Sequence, residues 1–362
     1  MSNKIIRVCV DRGLPPSKIV EAANKAVKEN PANVPVFRFR AGFGVEPISP
    51  VRMALVTGKR WENGRTLRVG FLDGQPSVQS KVKEYAQQWS NYSNIKFEFV
   101  SASNAEIRIA FQSGGSWSYI GTDALGIDKN EQTMNFGWLT PESEDAEYSR
   151  VVIHEFGHAL GCIHEHQNPA TNIPWDKEAV YRYYSGPPNN WTRDQIDLNI
   201  FQKYSSTITQ FSAFDRKSIM LYAIPNELTI GDYEVGWNRQ LSEVDKEFIG
   251  TMYPLEDKPV TELTVGAPVV SASIGKHGEE DLFRFKVSKK GPYTIETKGK
   301  TDVVMALFGP NNQTDLLAED DDSGSGRNAK IMTTLKQGTY YVRIRHYRPT
   351  GTGKYKISVK PE

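Results

Sequence analysis

The sequence predicts an α+β domain with a mixed, twisted sheet and a metal-site helix, followed by a small all-β sandwich. Three observations support this fold class. Helix-period and strand-period segments alternate after residue 60, four histidines lie within residues 154–166, and only strand-like segments follow residue 262. The predicted boundaries are 1–60 for a leading segment, 61–255 for the α+β domain, 256–262 for a charged linker, and 263–362 for the sandwich.

The leading segment and the α+β domain show clear local patterns. In the leading segment, IIRVCV is typical of a short strand, and SKIVEAANKAVKEN of a helix that Pro15 and Pro16 begin. In the α+β domain, the strand candidates with alternating polar and apolar residues are TLRVGFL, IKFEFV, EIRIAF and TMNFGWL. VQSKVKEYAQQW is predicted as an amphipathic helix, because its apolar residues share one face: Val78, Val82, Tyr85 and Trp89. LSEVDKEFIGTMY is predicted as the closing helix, with Ser242 as its N-cap.

Beyond the linker the pattern changes to short strands alone. The candidates, separated by Gly, Pro and Asn turns, are DLFRFKV, GPYTIET, DVVMALFGP, TYYVRIRHY and GKYKISVK. No helical period is visible there, so this region of about a hundred residues is predicted to be a β-sandwich.

Composition excludes several classes of function. The chain has 44 basic and 43 acidic residues, a net charge of +1, and the charges are interspersed, so no nucleic-acid partner is indicated. No stretch approaches the ~20 apolar residues of a membrane span. The N-terminus, MSNKIIRVCVDRGLPP, lacks the long apolar region of a signal peptide, so either the chain has no leader or the leader has been removed. Two cysteines exclude a disulfide-rich scaffold but permit one bridge.

The segment HEFGHALGCIHEH, which begins at His154, holds four of the six histidines. His154 and His158 are four residues apart, so on a helix they lie on one face and can bind one metal ion together. Glu155 lies beside the first of them, where its carboxylate can reach a water molecule at the metal. Gly161 permits a sharp chain reversal, after which His164 can return to the metal. Three nitrogen ligands and one open position are typical of a catalytic Zn²⁺ site.

Two other interpretations of this segment are weaker. HExxH alone arises by chance in about one chain in a hundred of this length, but the matching Gly and His make chance about a thousandfold rarer. A solvated helix face is disfavoured because the segment is largely apolar, with Ala159, Leu160, Cys162 and Ile163.

HEFGHALGCIHEH fits HExxHxxGxxH, the signature of the metzincin metallopeptidases. The segment Ser218–Tyr222, SIMLY, resembles the metzincin Met-turn, and Glu165, which follows the third histidine, resembles the astacins. GSWSYIG, residues 115–121, is similar to the astacin rim strand, which makes Trp117, Ser118 and Tyr119 candidates for substrate binding. The resemblance covers about residues 61–255.

This resemblance implies an astacin-like zinc endopeptidase that acts on protein or peptide substrates. His154, His158 and His164 would bind Zn²⁺, which lowers the pKa of water toward ~7 and polarises the scissile carbonyl. Glu155 would act as general base, and Tyr222 would donate a hydrogen bond to the developing oxyanion. A further residue, Met220, would form an apolar floor beneath the site.

Two departures from the animal astacins are visible. Leu221 stands where astacins commonly have His, and two cysteines cannot form their paired disulfides. The chain therefore resembles a bacterial astacin-like enzyme. The family resemblance implies a secreted or extracellular protein, and a cytoplasmic location is the alternative because no signal peptide is recognised in this chain. We expect the protein to be a monomer.

The leading segment contains two candidates for a latency switch, Cys9 and Asp11. Some metzincins are held latent by a cysteine from a leading segment, whereas astacins more often use an aspartate. Arg7 and Arg12 would favour the Cys9 thiolate, a good zinc ligand. Two alternatives stay open: Cys9 lies in a core or a strand, as the alternation in IIRVCV allows, or it forms a bridge to Cys162.

The C-terminal region resembles the bacterial pre-peptidase C-terminal domain, in its strand pattern, in EEDLFRFKV and in the acidic turn EDDDSGSGRN. Crowded carboxylates on a Gly-rich turn suit Ca²⁺, which makes Asp320, Asp321 and Asp322 calcium candidates. Solvated turn residues are the simpler interpretation of the same pattern. A second functional hypothesis is a catalytically weak zinc-containing protein that uses this sandwich to bind a polymer or a surface.

Overall fold

A computed structural model of the chain describes residues 9–10, 12–35, 58–187, 189–203, 214–255, 260–313, 315–348 and 350–362. These residues form two compact units. The first unit contains the described residues within 9–29, 59–203 and 214–255, and the second contains those within 30–35 and 260–362, together with residue 58. The domain boundaries given above stay predictions.

The first unit is built on a five-stranded mixed sheet. Its strands are β1 (Thr66–Phe71), β2 (Lys96–Phe99), β3 (Ile107–Ala110), β4 (Ser116–Ser118) and β5 (Met134–Phe136). Their order is β2-β1-β3-β5-β4; β4 is antiparallel to its neighbour, whereas the other pairs are parallel. This arrangement leaves β4 at one edge of the sheet, where its backbone can pair with another extended segment.

Six α-helices accompany this sheet in the described residues. They are α1 (Ile19–Glu29), α2 (Pro76–Ala86), α3 (Asp145–Ala159), α4 (Lys177–Ser185), α5 (Arg193–Ile196) and α6 (Glu243–Met252). The amphipathic pattern of α2 buries Val78 and Val82, and a 3₁₀ turn continues it to a buried Trp89. Ser242 caps α6 in a capping box with Asp245, as the sequence predicts. No helix among the described residues is long and apolar enough to cross a membrane.

The leading segment packs on this unit through α1. Ala22 and Ala26 are its buried residues, and Gly126 lets α1 approach closely, because a Cβ there would lie 3.0 Å from the Ala22 Cβ. Lys25 Nζ also donates a hydrogen bond of 2.9 Å to the Leu125 carbonyl oxygen. The strand predicted from IIRVCV lies largely outside the described residues. Its last two residues form no strand in the structure, although Val10 N donates to Ser116 O on β4 at 3.0 Å.

The second unit contains two β-sheets. The strands are β6 (Thr261–Glu262), β7 (Val270–Ile274), β8 (Glu280–Val287), β9 (Gly291–Gly299), β10 (Val303–Phe308), β11 (Leu316–Asp320), β12 (Lys330–Leu335), β13 (Gly338–His346) and β14 (Gly353–Pro361). One sheet has the order β11-β10-β13-β8-β6 and the other β12-β9-β14-β7. Their inward residues form one apolar core that includes Phe283, Phe285, Ile295, Leu307 and Val342. The α+β plus β-sandwich fold class is thereby confirmed.

Candidate metal centre

Helix α3 carries the first two histidines of the motif. Acidic residues in its first turn, Asp145 and Glu147, suit the positive end of the helix dipole. Glycine is required at Gly157, since a Cβ there would collide with the Met220 sulfur. After the helix, Gly161 adopts φ +100°, a left-handed conformation that reverses the chain toward His164.

The three motif histidines converge on one point. Nε2 of His154 lies 3.2 Å from that of His158 and 3.1 Å from that of His164, and the latter two nitrogens are 3.1 Å apart. His154 Nδ1 faces the Ile219 carbonyl oxygen at 2.8 Å, and His158 Nδ1 faces that of Cys162 at 2.9 Å. Because a carbonyl oxygen only accepts, these Nδ1 atoms carry the protons and the Nε2 atoms present lone pairs.

Such a cluster of lone pairs repels itself unless a cation lies among them. Two nitrogens bound at about 2.1 Å to one tetrahedral zinc are about 3.4 Å apart, close to the separations seen here. Burial lowers the pKa of His154 and His164, and the neighbouring imidazoles add to the effect, so the neutral form that binds a metal is favoured. The residues present therefore fit a zinc ion.

Glu155 lies beside this cluster with 0 % of its surface exposed. A carboxylate oxygen of Glu155, a ring nitrogen of His154 and the sulfur of Cys9 all lie within 4.8 Å of one another. A buried carboxylate is costly unless it is compensated, so its retention here points to chemistry rather than to stability.

The segment Ser218–Tyr222 underlies the histidines and is itself fixed by α6. Asp245 accepts hydrogen bonds from Ser218 Oγ at 2.6 Å and from Ile219 N at 2.8 Å. Since the Ile219 carbonyl faces His154, Asp245 orients a ligand through one intervening residue. Burial raises the pKa of Asp245. From the sequence, Ser242 was predicted as the N-cap of this helix and no role was assigned to Asp245, so its contact with the Ser218–Tyr222 segment was missed.

Glu165, which follows the third histidine, is held on the same segment. Its backbone N donates to Met220 O at 3.0 Å, and its Oε1 accepts from Asp215 N at 2.9 Å and from Asn168 Nδ2 at 3.1 Å. Burial raises the pKa of Glu165 to about 8, despite the hydrogen bonds that oppose the shift. Glu165 therefore links the third-histidine turn to the Met220 backbone.

Tyr222 lies against the ligands, with its ring 4.4 Å from that of His164 and 6.1 Å from that of His154. Its hydroxyl donates a hydrogen bond to the backbone carbonyl oxygen of Cys9. A peptide carbonyl thus lies where Tyr222 can donate to it. His166 is not in the ligand cluster; it is buried, and its Nε2 faces the Asn199 carbonyl oxygen at 2.7 Å.

The structure brings Cys9 to the site, but not for the predicted electrostatic reason. Burial raises the pKa of the Cys9 thiol, and Glu155 raises it further, so the lowering predicted from Arg12 is wrong. The guanidinium of Arg12 lies over Trp117 instead. Arg7 and Asp11 lie outside the described residues. Cys9 and Cys162 are both free and buried, so the bridge between them does not form.

The rim candidates occupy β4 and the residue after it. Trp117, Ser118 and Tyr119 are all buried, and the Trp117 and Tyr119 rings meet edge to face at 5.7 Å. Ser118 Oγ donates to the Tyr119 carbonyl at 2.9 Å. The two aromatic residues pack with Ile127 in a small apolar cluster, here called the rim cluster.

Calcium at the acidic turn is not supported. Two groups of His, Cys, Asp or Glu could hold a metal in the described residues, and both lie at the histidine site. Asp320 instead accepts hydrogen bonds from Ser323 N at 3.0 Å, Ser323 Oγ at 2.5 Å and Lys330 N at 2.7 Å. This carboxylate shapes the turn that leads into β12. Asp321 and Asp322 belong to neither metal-binding group.

Comparison with known families agrees with the fold and the site. Residues 56–254 match the astacin family of peptidases, and residues 279–346 match the bacterial pre-peptidase C-terminal domain. A fold with a mixed sheet and a three-histidine helix motif defines a metzincin-type protein. Because the first match spans more than half of the chain, the chain belongs to the astacin family.

Three individual relatives each match only part of this chain. A solved structure of myroilysin is 56 % identical over 54 % of this chain and 96 % of its own, with a TM-score of 0.53. Zinc metalloproteinase dpy-31 of Caenorhabditis elegans is 26 % identical over 206 residues, and interstitial collagenase of Bos taurus is 29 % identical over 138 residues. These matches cover 54 % and 33 % of this chain. The chain spans about a third of the length of these two curated relatives, 32 % and 29 %.

Proposed function

We propose that this protein is a zinc endopeptidase that cleaves protein or peptide substrates. The observation that carries the proposal is the convergence of three imidazole Nε2 atoms at 3.1–3.2 Å beside the buried Glu155. A structural zinc site has no use for a buried carboxylate beside its ligands, whereas here Glu155 lies next to the histidines, where a general base is needed. Family membership and the resemblance of the motif support the same conclusion.

His154, His158 and His164 would hold the zinc ion, which, when bound, polarises the scissile carbonyl and acidifies water. The carbonyls of Ile219 and Cys162 fix two of these imidazoles in the tautomer that leaves Nε2 available. Glu155 accepts a proton from the attacking water and transfers it to the leaving amine. Its burial excludes competing solvent and keeps the carboxylate close to the reacting atoms.

Tyr222 donates a hydrogen bond to the substrate carbonyl oxygen as negative charge develops there. The support for this role is its hydrogen bond to the Cys9 carbonyl, a peptide group already placed at the site. Met220 supplies an apolar floor, since its sulfur packs against Gly157 of the ligand helix. Trp117, Ser118 and Tyr119 form the rim along which an extended substrate lies. The family resemblance favours action outside the cell.

The central test is Glu155→Gln in the full chain, with Cys9→Ser present in both the variant and its reference so that cleavage can be measured. Bound zinc should stay at the reference level, while peptide cleavage falls by about 10²–10⁴-fold because the general base is lost. Glu84→Gln is the matched control, since Glu84 is an exposed residue of α2 that is paired with Lys81. Turnover by Glu155→Gln at the reference rate would remove this residue from the mechanism. A zinc-loaded Cys9→Ser chain that cleaves nothing would favour the non-catalytic binding protein.

We also infer that the leading segment keeps the intact enzyme latent through Cys9. The Cys9 sulfur lies within 4.8 Å of ligand atoms of His154 and Glu155. The backbone carbonyl of Cys9 accepts the hydrogen bond that Tyr222 would otherwise donate to a substrate. Cys9→Ser should therefore raise the activity of the intact chain, because the hydroxyl is a weaker zinc ligand than sulfur. Cys162→Ser is the control, as it alters the other buried thiol. An intact wild-type chain with full activity would refute latency.

A further inference from the structure

Past Cys9, alternate residues of the leading segment face the rim cluster. Val10 and Leu14 pack against the cluster, and between them Arg12 lies over the Trp117 ring. Contacts at positions 10, 12 and 14 have the spacing of side chains on one face of a strand. The 3.0 Å hydrogen bond from Val10 N to Ser116 O fixes this chain against β4. A peptide substrate bound by strand addition would use the same edge.

The contact between Arg12 and Trp117 is the most specific of these. The guanidinium carbon lies 4.3 Å from the ring centroid, well within the range of a cation–π interaction. Arg12 is an exposed residue, and its guanidinium covers this ring. Trp117 is 4 % exposed and is braced edge to face by Tyr119, so the ring has a fixed orientation.

The leading segment relates the Trp117 ring to the position where a substrate's scissile carbonyl would lie. The carbonyl of Cys9 accepts from Tyr222, as the scissile carbonyl of a substrate would, and Arg12 follows three residues later. Three residues of extended chain span about 10 Å. A substrate that places its scissile carbonyl at Tyr222 therefore presents a side chain to Trp117 at an equivalent position.

We propose that the face of Trp117 is a specificity subsite for a basic side chain, Arg or Lys, of the substrate. The inference rests on the proposed peptidase function and extends it to substrate class. In a substrate that runs in the direction of the leading segment, the basic residue is the third after the scissile bond. In a substrate that runs in the opposite direction, it is the fourth before that bond.

The test uses full-length, zinc-loaded Cys9→Ser protein and matched peptides. Each pair carries either Arg or citrulline, its uncharged analogue, at one of these two positions. The ratio of kcat/KM for the two peptides is measured on one preparation, so the fraction of molecules with an open cleft cancels. We expect a ratio of about twofold to fivefold in favour of Arg at one position.

Substitutions of Trp117 test whether its ring causes the preference for Arg over citrulline. Trp117→Leu should bring the ratio to about one, and Trp117→Phe should leave an intermediate ratio, since Phe is a weaker cation–π partner than Trp. Tyr92→Leu is the matched control: Tyr92 is a partly exposed ring with Lys246 Nζ at 5.0 Å from its centroid. This control should keep the wild-type ratio. Because a ratio is compared, a reduced amount of folded Trp117 variant does not affect the result.

The outcomes separate this inference from the proposed function. Equal kcat/KM for Arg and citrulline peptides at both positions refutes the Trp117 subsite while leaving the peptidase intact. A preference for Arg that survives Trp117→Leu also refutes it. If no form of the protein cleaves any peptide, the proposed function fails. In that case, binding of the same peptide pairs to the Cys9→Ser chain is measured by fluorescence anisotropy. The ratio of the two affinities then tests the Trp117 subsite: a ratio that favours Arg supports it, and equal affinities refute it.

Discussion

The two units of this protein differ in the kind of group that they bury. Among the described residues, the first unit buries four carboxylates. Glu155 lies beside three imidazoles and Asp245 beneath them, whereas Glu106 and Asp123 form ion pairs with Arg68 and Lys59. In the β-sandwich, the buried polar residues are Thr294, Thr297, Thr301, Asn328, Arg343 and Ser358, of which one is charged. Since burying ionisable groups costs stability, the carboxylate and imidazoles gathered around Glu155 mark this place as the candidate site.

The sandwich, by contrast, buries mainly apolar side chains. All six residues of β10, Val303–Phe308, are buried and apolar, and the core continues through both sheets. Such a core supports folding without any ion. In the first unit, by contrast, the histidine lone pairs face one another and need a cation to compensate their repulsion. The two units should therefore respond differently when metal is removed.

Removal of zinc should have the largest effect and should be confined to the first unit. A chelator, or His158→Ala, should abolish peptide cleavage and lower the stability of α3 by about 4 kcal/mol where free zinc is a thousandfold above its Kd. Hydrogen exchange of backbone amides in the full chain is the measurement. Protection should fall in α3, whereas amides of β13 should keep their rates. Equal loss of protection in both units would contradict the contrast drawn here.

Tyr222→Phe should have the next largest effect. Loss of one oxyanion donor costs about 10²–10³ in rate, while the zinc ligands are untouched, so bound zinc should stay constant. In the intact chain the same change removes the hydrogen bond to the Cys9 carbonyl, so Cys9 should react faster with an alkylating reagent. Tyr184→Phe is the matched control, since this buried tyrosine lies on α4 and stacks on Trp191. An unchanged cleavage rate would remove Tyr222 from the site.

Much of the candidate site in the first unit could be predicted from the sequence, because the positions of its residues depend on local backbone geometry. The spacing of His154 and His158 is one helical turn, and the reversal at Gly161 needs a conformation that glycine adopts readily. The relation of Asp245 to His154 could not be predicted, since it joins residues 91 positions apart through the backbone of Ile219. The approach of Cys9 likewise depends on the tertiary path of the leading segment.

In the sandwich, five of the nine strands were predicted, whereas β6, β7, β11 and β12 and the role of the acidic turn were not. The crowded carboxylates made calcium a candidate beside the simpler interpretation of solvated turn residues. In the structure Asp320 accepts a hydrogen bond from a backbone amide three residues later, an arrangement typical of Asp in turns. The spacing of Asp320 and Ser323 carries that signal in the sequence. A cluster of acids therefore predicts a cation site only where further oxygen ligands converge.

The smallest expected effect concerns this turn and sharpens the contrast between the units. Asp320→Ala removes an acceptor shared by Ser323 and the Lys330 amide, so the free energy of unfolding of the sandwich should fall by about 1–3 kcal/mol. Asp322→Ala, two residues along the same turn, is the control and should change stability by less than about 0.5 kcal/mol. Hydrogen exchange of β12 amides reports the loss, while peptide cleavage and bound zinc should stay unchanged. If Asp320→Ala instead left β12 protected and lowered activity, the acidic turn would have to be counted with the chemistry of the first unit rather than with the stability of the second.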